Sequence, residues 1–316
     1  MNQSTGAILL GDVGGTNTRL AFARDGGLDG TSVRRLPNSD FPDLPAALRH
    51  YLAGQPAPDR VAVAVAGPVR GGTGRLTNRD WRIAPGEIAE ATGAAQVAVI
   101  NDLEAQAWAL DALAPGALVP VLTGGTALEG PRLVIGVGTG FNTALRHGHG
   151  PHSFVAPAEA GHAALPVATA ADLALADFVT GEDGFASIED VLSGRGVEAV
   201  FRFVTGRDAR AGDVMGRLAG GGAEAEAAAR LVVRHLAMVA GDLALFHLPF
   251  GGIHLCGGVA RALVPYLSRF GFEAAFRAKG RLSGFMDHFQ LSVITDDYAA
   301  LTGCLTVAES GGTVTA

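Results

Sequence analysis

A chain of 316 residues, 48% hydrophobic and 17% charged, is long enough for two domains that each bury a core without disulfides or structural metals. Its formal net charge of −7 argues against nucleic acid or an anionic membrane surface as a principal partner, while leaving room for a small anion held by backbone N–H groups. The two cysteines, Cys256 and Cys304, sit in apolar surroundings and read as reduced core thiols; no apolar run reaches the roughly 20 residues of a spanning helix, and no secretion leader precedes the first strand, so a cytoplasmic protein is expected.

In chain order, strands are expected at residues 7–11, 19–23 and 32–36, forming a meander. A helix near 44–52 leads to a strand at 61–66, and a helix near 88–92 leads to a strand at 97–100 and a helix opening at Asp102. Three strands and then alternating helices and strands match one lobe of an actin-like ATPase fold. The second half restarts near Leu133 with a hairpin, followed by helices near 171–179, 188–192 and 197–204. A longer helix covers about 224–247, with Val232, Leu236, Val239 and Leu243 on one face. Then come a strand at 253–256, the turn Gly257-Gly258, a helix to about 270, a strand at 291–295 and a helix over 298–309 that is expected to pack back on the N-terminal lobe. The reading is an α/β chain of two lobes, residues 1–112 completed by a C-terminal helix within 298–316, and residues 113–297. No long linker separates them, which suits a cleft with limited hinge motion.

The stretch Gly11-Asp12-Val13-Gly14-Gly15-Thr16-Asn17 carries most chemical information. Its glycines admit a phosphate close to backbone N–H groups, and Asp12 offers a carboxylate where a phosphate-bound metal would sit. An echo follows at Gly136-Val137-Gly138-Thr139-Gly140-Phe141-Asn142-Thr143. Aligned without a gap, Gly11 meets Gly136, Gly15 meets Gly140, and Asn17-Thr18 meets Asn142-Thr143, so Asn142 is expected just after a phosphate turn. The repeat suggests a duplicated unit that grips a nucleotide from both sides. Neither copy is a P-loop or a dinucleotide fingerprint: no Lys-Ser or Lys-Thr follows the glycines, and Phe141 stands where a last glycine would fall.

Asn101-Asp102 ends an apolar strand and begins a helix. Position alone reads Asp102 equally as a helix cap and as a carboxylate facing a ligand at a strand's carboxyl end. Glu159-Ala160-Gly161-His162 is polar and compact; such loop residues are usually solvated, but they suit sugar hydroxyls better than a metal, for want of a ligand set. His147, His149 and His152 fit alternation on a surface strand better than a metal cluster.

Gly11-Asp12-Val13-Gly14-Gly15-Thr16-Asn17, Leu76-Thr77-Asn78-Arg79-Asp80-Trp81, Ile100-Asn101-Asp102, Gly138-Thr139-Gly140, Glu159-Ala160-Gly161-His162, Glu189-Asp190-Val191-Leu192-Ser193-Gly194 and Gly257-Gly258 together resemble the bacterial ATP-dependent glucokinases of the non-ROK group, in order, to about Gly303. The resemblance implies a two-lobe actin-like ATPase (ribonuclease H-like) fold, mixed sheets flanked by helices, and a homodimer that moves the γ-phosphate of ATP to O6 of glucose. By matching position it makes Asp102 the general base and gives the sugar to Asn78, Asn101, Asp102, Glu159, His162 and Glu189. ATP falls to Gly11, Asp12, Gly14, Gly15, Thr16 and Asn17 on one side and Thr139, Gly140, Gly257 and Gly258 on the other, with Asp12 orienting Mg²⁺ through water. The zinc motif of ROK sugar kinases is absent. The family pattern Gly-Thr-Gly-Leu-Gly becomes Gly-Thr-Gly-Phe-Asn at residues 138–142, its Glu-Gly-Gly-His becomes Glu-Ala-Gly-His, and a Pro-Gly segment is replaced at 297–300. A kinase for another hexose, and a sugar-binding regulator with weakened phosphoryl transfer, are the alternative readings.

Overall fold

Residues 6–76, 79–125, 128–148, 153–181 and 184–310 are described by the computed structural model. They divide into two units, one drawn from Met1–Pro115, His149–Val155 and Asp296–Ala316, the other from Gly116–Gly148 and Ala156–Thr295.

In the first unit, the hairpin β1 (Ile8–Val13) and β2 (Asn17–Arg24) is followed by the short strands β3 (Gly27–Leu28) and β4 (Arg34–Pro37). Helix α1 (Leu44–Leu52) starts where the Asp43 carboxylate accepts the Ala46 N–H at 2.7 Å, and leads to β5 (Arg60–Val65). The strands β6 (Val69–Arg70), β7 (Thr73–Arg75) and β8 (Arg82–Ile83) make a small antiparallel sheet that no hydrophobic pattern in the sequence announces. Helix α2 (Pro85–Thr92), β9 (Gln96–Asn101) and α3 (Asp102–Ala109) follow. The main sheet has the order β3-β2-β1-β5-β9, with β4 on β2; β1, β5 and β9 are parallel. Val61, Val63 and Val65 of β5 are buried with Leu9, Leu20 and Ile88, which fixes the register across the unit.

The second unit begins with β10 (Leu118–Leu122) and the hairpin β11 (Arg132–Val137) and β12 (Phe141–His147); β13 (Phe154–Pro157) begins in the stretch counted with the first unit and ends in the second. Helices α4 (Ala170–Val179), α5 (Gly194–Thr205), α6 (Ala211–Ala219) and α7 (Ala223–His247) come next, then β14 (Ile253–Cys256), α8 (Gly258–Leu263), α9 (Phe272–Arg277) and β15 (Leu291–Ile294). The sheet order is β10-β15-β14-β11-β12-β13, with β11, β14 and β15 parallel. The series β2-β1-β5-β9 and β12-β11-β14-β15 thus repeat one design: an antiparallel hairpin and then two parallel strands. Val232, Leu236, Val239 and Leu243 of α7 are all buried. Helix α10 (Ala299–Glu309) returns to the first unit, packs on α3, β1 and β5, and its Cys304 thiol donates to the Gly11 carbonyl at 3.4 Å.

Three expectations change. Residues 188–192 form turns, not a helix: the Asp190 carboxylate takes the Ser187 N–H (2.8 Å) and hydroxyl (2.6 Å), a local closure that competes with helix. The helix expected to run to about 270 ends at Leu263, where Pro265 shifts the chain into a tighter 3-10 turn, Val264–Tyr266. Helices α6 and α9 occupy stretches read as connections. No helix among the described residues is long and apolar enough to cross a membrane.

Candidate active site

In the first unit, the carboxyl ends of the parallel strands carry the acidic residues. Asp12 on β1 lies level with Ala64 on β5 and Ile100 on β9, and Asp102 is the first residue beyond β9. Capping of α3 falls to the neighbour: Asn101 Oδ1 accepts the N–H groups of Leu103 (2.9 Å) and Glu104 (3.4 Å), and Glu104 Oε2 accepts the Asn101 N–H at 3.3 Å. Asn101 Nδ2 donates to the Gly67 carbonyl at 3.0 Å, so the side chain expected on a sugar already ties the end of β9 to the loop after β5. Asp102 takes a smaller part in the cap: its Oδ1 accepts the Leu103 N–H at 3.0 Å, and its carboxyl also meets its own N–H and the Asn101 side chain. Burial, and then the like charge of Asp12, push its carboxyl up to about 7. Burial also raises Asp12, against the attraction of Arg19, whose guanidinium donates to Asp12 Oδ2 at 3.0 Å.

The turn 14–17 of the first hairpin is closed by the Gly14 N–H bond to the Asn17 carbonyl (3.0 Å) and braced by a residue the sequence reading passed over. Asn38, fully buried, donates from Nδ2 to the Gly14 carbonyl (2.8 Å), accepts the Thr18 hydroxyl on Oδ1 (2.8 Å), and donates its backbone N–H to the Thr16 carbonyl (2.9 Å). Nothing in Leu36-Pro37-Asn38 marks it; its role exists only because β4 pairs with β2.

In the second unit the hairpin loop is shorter. Val13 faces Thr18 across a loop of residues 14–17, whereas Val137 faces Phe141 across residues 138–140. The counterpart of the pair Asp12–Arg19 is therefore Gly136–Asn142. This corrects the ungapped alignment of Asn142 with Asn17: the second loop is one residue shorter, and Asn142 takes the place of Arg19, two residues further into the strand. Asn142 sits inside β12 with no positive φ, and turns to the sugar-side residues. Its Oδ1 accepts the N–H groups of Thr143 (2.8 Å) and Ala160 (3.0 Å), and its Nδ2 donates to Glu159 Oε2 at 3.4 Å.

Around this hairpin the expected residues converge. Glu189 Oε2 accepts the Phe141 N–H at 2.8 Å, while Oε1 pairs with Arg195 at 3.0 Å. The Glu189 N–H donates to the Gly161 carbonyl (2.9 Å), so residues 159–161 lie against both the strand and Glu189. A Cβ on Gly161 would fall 2.2 Å from the Phe141 carbonyl oxygen, which excludes any other residue there. His162 follows, exposed, in a single 3-10 turn with the exposed Glu159 at its start. Gly138, whose carbonyl accepts the Gly194 N–H at 2.7 Å, approaches Gly257 and Gly258 at the end of β14. Gly257 has φ +96°, and a Cβ there would lie 2.4 Å from the Val137 carbonyl oxygen. Thr139 at the loop tip is exposed. Asn78 lies outside the described residues, as do His149 and His152. Among the described residues no three His, Cys, Asp or Glu side chains gather in a group able to hold a metal.

Duplicated mixed sheets flanked by helices, with carboxylates at strand ends in one copy and a glycine turn in each, define the actin-like ATPase class of sugar kinases. Within it, the chain is similar over 96% of its length, and 99% of the other, to the crystal structure of a glucokinase from an Antarctic psychrotroph, with TM-score 0.83 and 29% identity. The chain belongs to the glucokinase family, whose model, described as Glucokinase, matches residues 9–311. Curated relatives named glucokinase include those of Chelativorans sp., 35% identical over 96% of this chain and 91% of the relative, and Pseudomonas paraeruginosa, 34% identical over 95% and 91%.

Proposed function

We propose that this chain transfers the γ-phosphoryl group of ATP to the 6-hydroxyl of glucose, with Asp102 as general base. The observation that carries the reading is the place of Asp102, the first residue beyond β9 at the carboxyl end of the parallel strands, with Asn101 capping α3 in its stead; burial and the like charge of Asp12 push its carboxyl up to about 7. A base with that affinity takes a hydroxyl proton near neutral pH and releases it again with little cost. Asn101, by capping α3, leaves Asp102 available for this task.

On the sugar side, Glu159, His162 and Glu189 are assigned to hydroxyl groups. Glu159 and His162 are exposed, while the Phe141 N–H and Arg195 hold Glu189 in one orientation, so that its remaining lone pairs are directed before sugar arrives. Asn101 is assigned to a sugar hydroxyl as well, beside its bonds to the Gly67 carbonyl and the Asp102 carboxyl. On the nucleotide side, the turns 14–17 and 138–140 offer backbone N–H groups, with Gly257 and Gly258 against the second turn.

The donor set suits Mg²⁺: Asp12 is a single carboxylate in the first hairpin, and an ion that keeps waters and phosphate oxygens needs few protein ligands. When bound, Mg²⁺ would offset charge on the transferring phosphoryl group. Arg19 meanwhile holds Asp12 in one rotamer through the 3.0 Å contact.

The test is an ADP-release assay across glucose, mannose, fructose and amino sugars, with ³¹P NMR to locate the ester. Glucose is expected to be the preferred acceptor, with phosphate on O6. Tight glucose binding without ADP release would favour the regulator, and a stronger response to another hexose would reassign the substrate.

A further inference from the structure

We propose that Asn142 is a positioning residue for sugar recognition, acting through Glu159. The inference rests on the kinase reading, because it assigns a purpose to Glu159's orientation. Three observations carry it.

First, the orientation of the Asn142 amide is decided by its surroundings. Its Oδ1 receives two backbone N–H groups, from Thr143 at 2.8 Å and Ala160 at 3.0 Å. A flipped amide would point N–H at N–H twice, so Nδ2 must face Glu159, where it meets Oε2 at 3.4 Å. Second, the backbone beneath Glu159 is immobilised independently. Gly161 is pressed against the Phe141 carbonyl, and its own carbonyl accepts the Glu189 N–H at 2.9 Å. What remains free is the Glu159 side chain itself, exposed and with three rotatable bonds. Third, Asn142 is the strand residue opposite Gly136, a position with no side chain to compete for the amide. One donor therefore holds one oxygen of a mobile carboxylate and leaves the other for a substrate hydroxyl.

The two duties of Asn142 are separable. Asn142→Asp keeps an acceptor for Thr143 and Ala160 but turns the donor facing Glu159 into a second carboxylate. A strut for the 159–161 segment alone would survive that change; a guide for Glu159 would not.

The experiment is a double-mutant cycle on the full chain: wild type, Asn142→Asp, Glu159→Gln and the double variant, each measured for glucose affinity by calorimetry and for the KM of ATP. Asn142→Asp is expected to weaken glucose about tenfold or more, with the KM of ATP within about twofold. In the Glu159→Gln background the same change should cost less than about threefold, because an amide at 159 can donate to the new carboxylate. Equal costs in both backgrounds, or wild-type glucose affinity in Asn142→Asp, would overturn the proposal. If Asn142→Asp fails to fold, Asn142→Ser replaces it in the cycle, with the same criterion of a cost that vanishes beside Glu159→Gln. Wild type that binds no hexose removes the kinase reading and this proposal with it; wild type that turns over glucose beside an additive cycle removes the proposal alone.

Discussion

Asp102→Asn separates two properties that the native carboxyl combines. The side chains are nearly the same shape, and an amide oxygen accepts the Leu103 N–H as Asp102 Oδ1 does at 3.0 Å, so α3 keeps its first turn. The amide accepts no proton, and turnover at saturating glucose and ATP should fall by about 10²–10⁴, with glucose affinity within a few-fold of wild type. Stability should move the other way. The carboxyl is raised from 3.8 to about 7, so below 3.8 it is neutral in both the folded and the unfolded chain. Between those values the unfolded chain gives up its proton and the folded one keeps it, and native stability declines as pH rises, levelling off above 7. At about 1.4 kcal/mol per pH unit the full window is worth on the order of 4 kcal/mol, which the amide does not forfeit. Urea unfolding of the unliganded protein at pH 4 and pH 8 reads this directly: the variant should be close to wild type at the first and more stable at the second. The rate of wild type should rise with pH through about 7, as the base ionises. A variant with turnover within a few-fold of wild type refutes the base, and a stability difference equal at both pH values refutes the buried-carboxyl account.

Two further outcomes probe the nucleotide side. Asn38→Ala leaves the Gly14 carbonyl and Thr18 hydroxyl without their buried partner, and should cost about 2–4 kcal/mol in urea unfolding and raise the KM of ATP while sparing that of glucose; an unchanged KM for ATP would mean the first hairpin does not meet phosphate. Gly257→Ala places a methyl group 2.4 Å from the Val137 carbonyl oxygen at φ +96°, and should destabilise by about 1–3 kcal/mol and weaken ATP more than glucose, measured by melting and by the two KM values.

Much of this was legible in the sequence because it rests on local chemistry. Helix 44–52, strand 253–256 and the apolar face of α7 follow from the spacing of apolar residues. The glycine hairpins declared themselves through composition and repetition. What escaped depends on pairing between distant segments. Asn38 matters only because β4 lies on β2, and the division of labour at Asn101-Asp102, one residue capping and its neighbour spared, cannot be read from two adjacent polar letters. Asn142 is the sharpest case. Matching letters set it beside Asn17, just after a phosphate turn, but the second loop is one residue shorter, Asn142 takes the place of Arg19, and its side chain stands beside Glu159.

The return of α10 to the first unit has a consequence for how the protein is made. Helix α3, which begins at Asp102, and β1, which holds Gly11, are covered by a helix synthesised after all of residues 116–295. While the ribosome builds the second unit, the groove awaiting Leu301, Cys304 and Leu305 stays open, with apolar surface uncovered. The second unit's own long helix and sheet are complete before α10 emerges, so the acid-bearing unit closes last. Premature termination before residue 299 would thus leave a chain with one finished unit and one adhesive one, a natural target for chaperones and proteases.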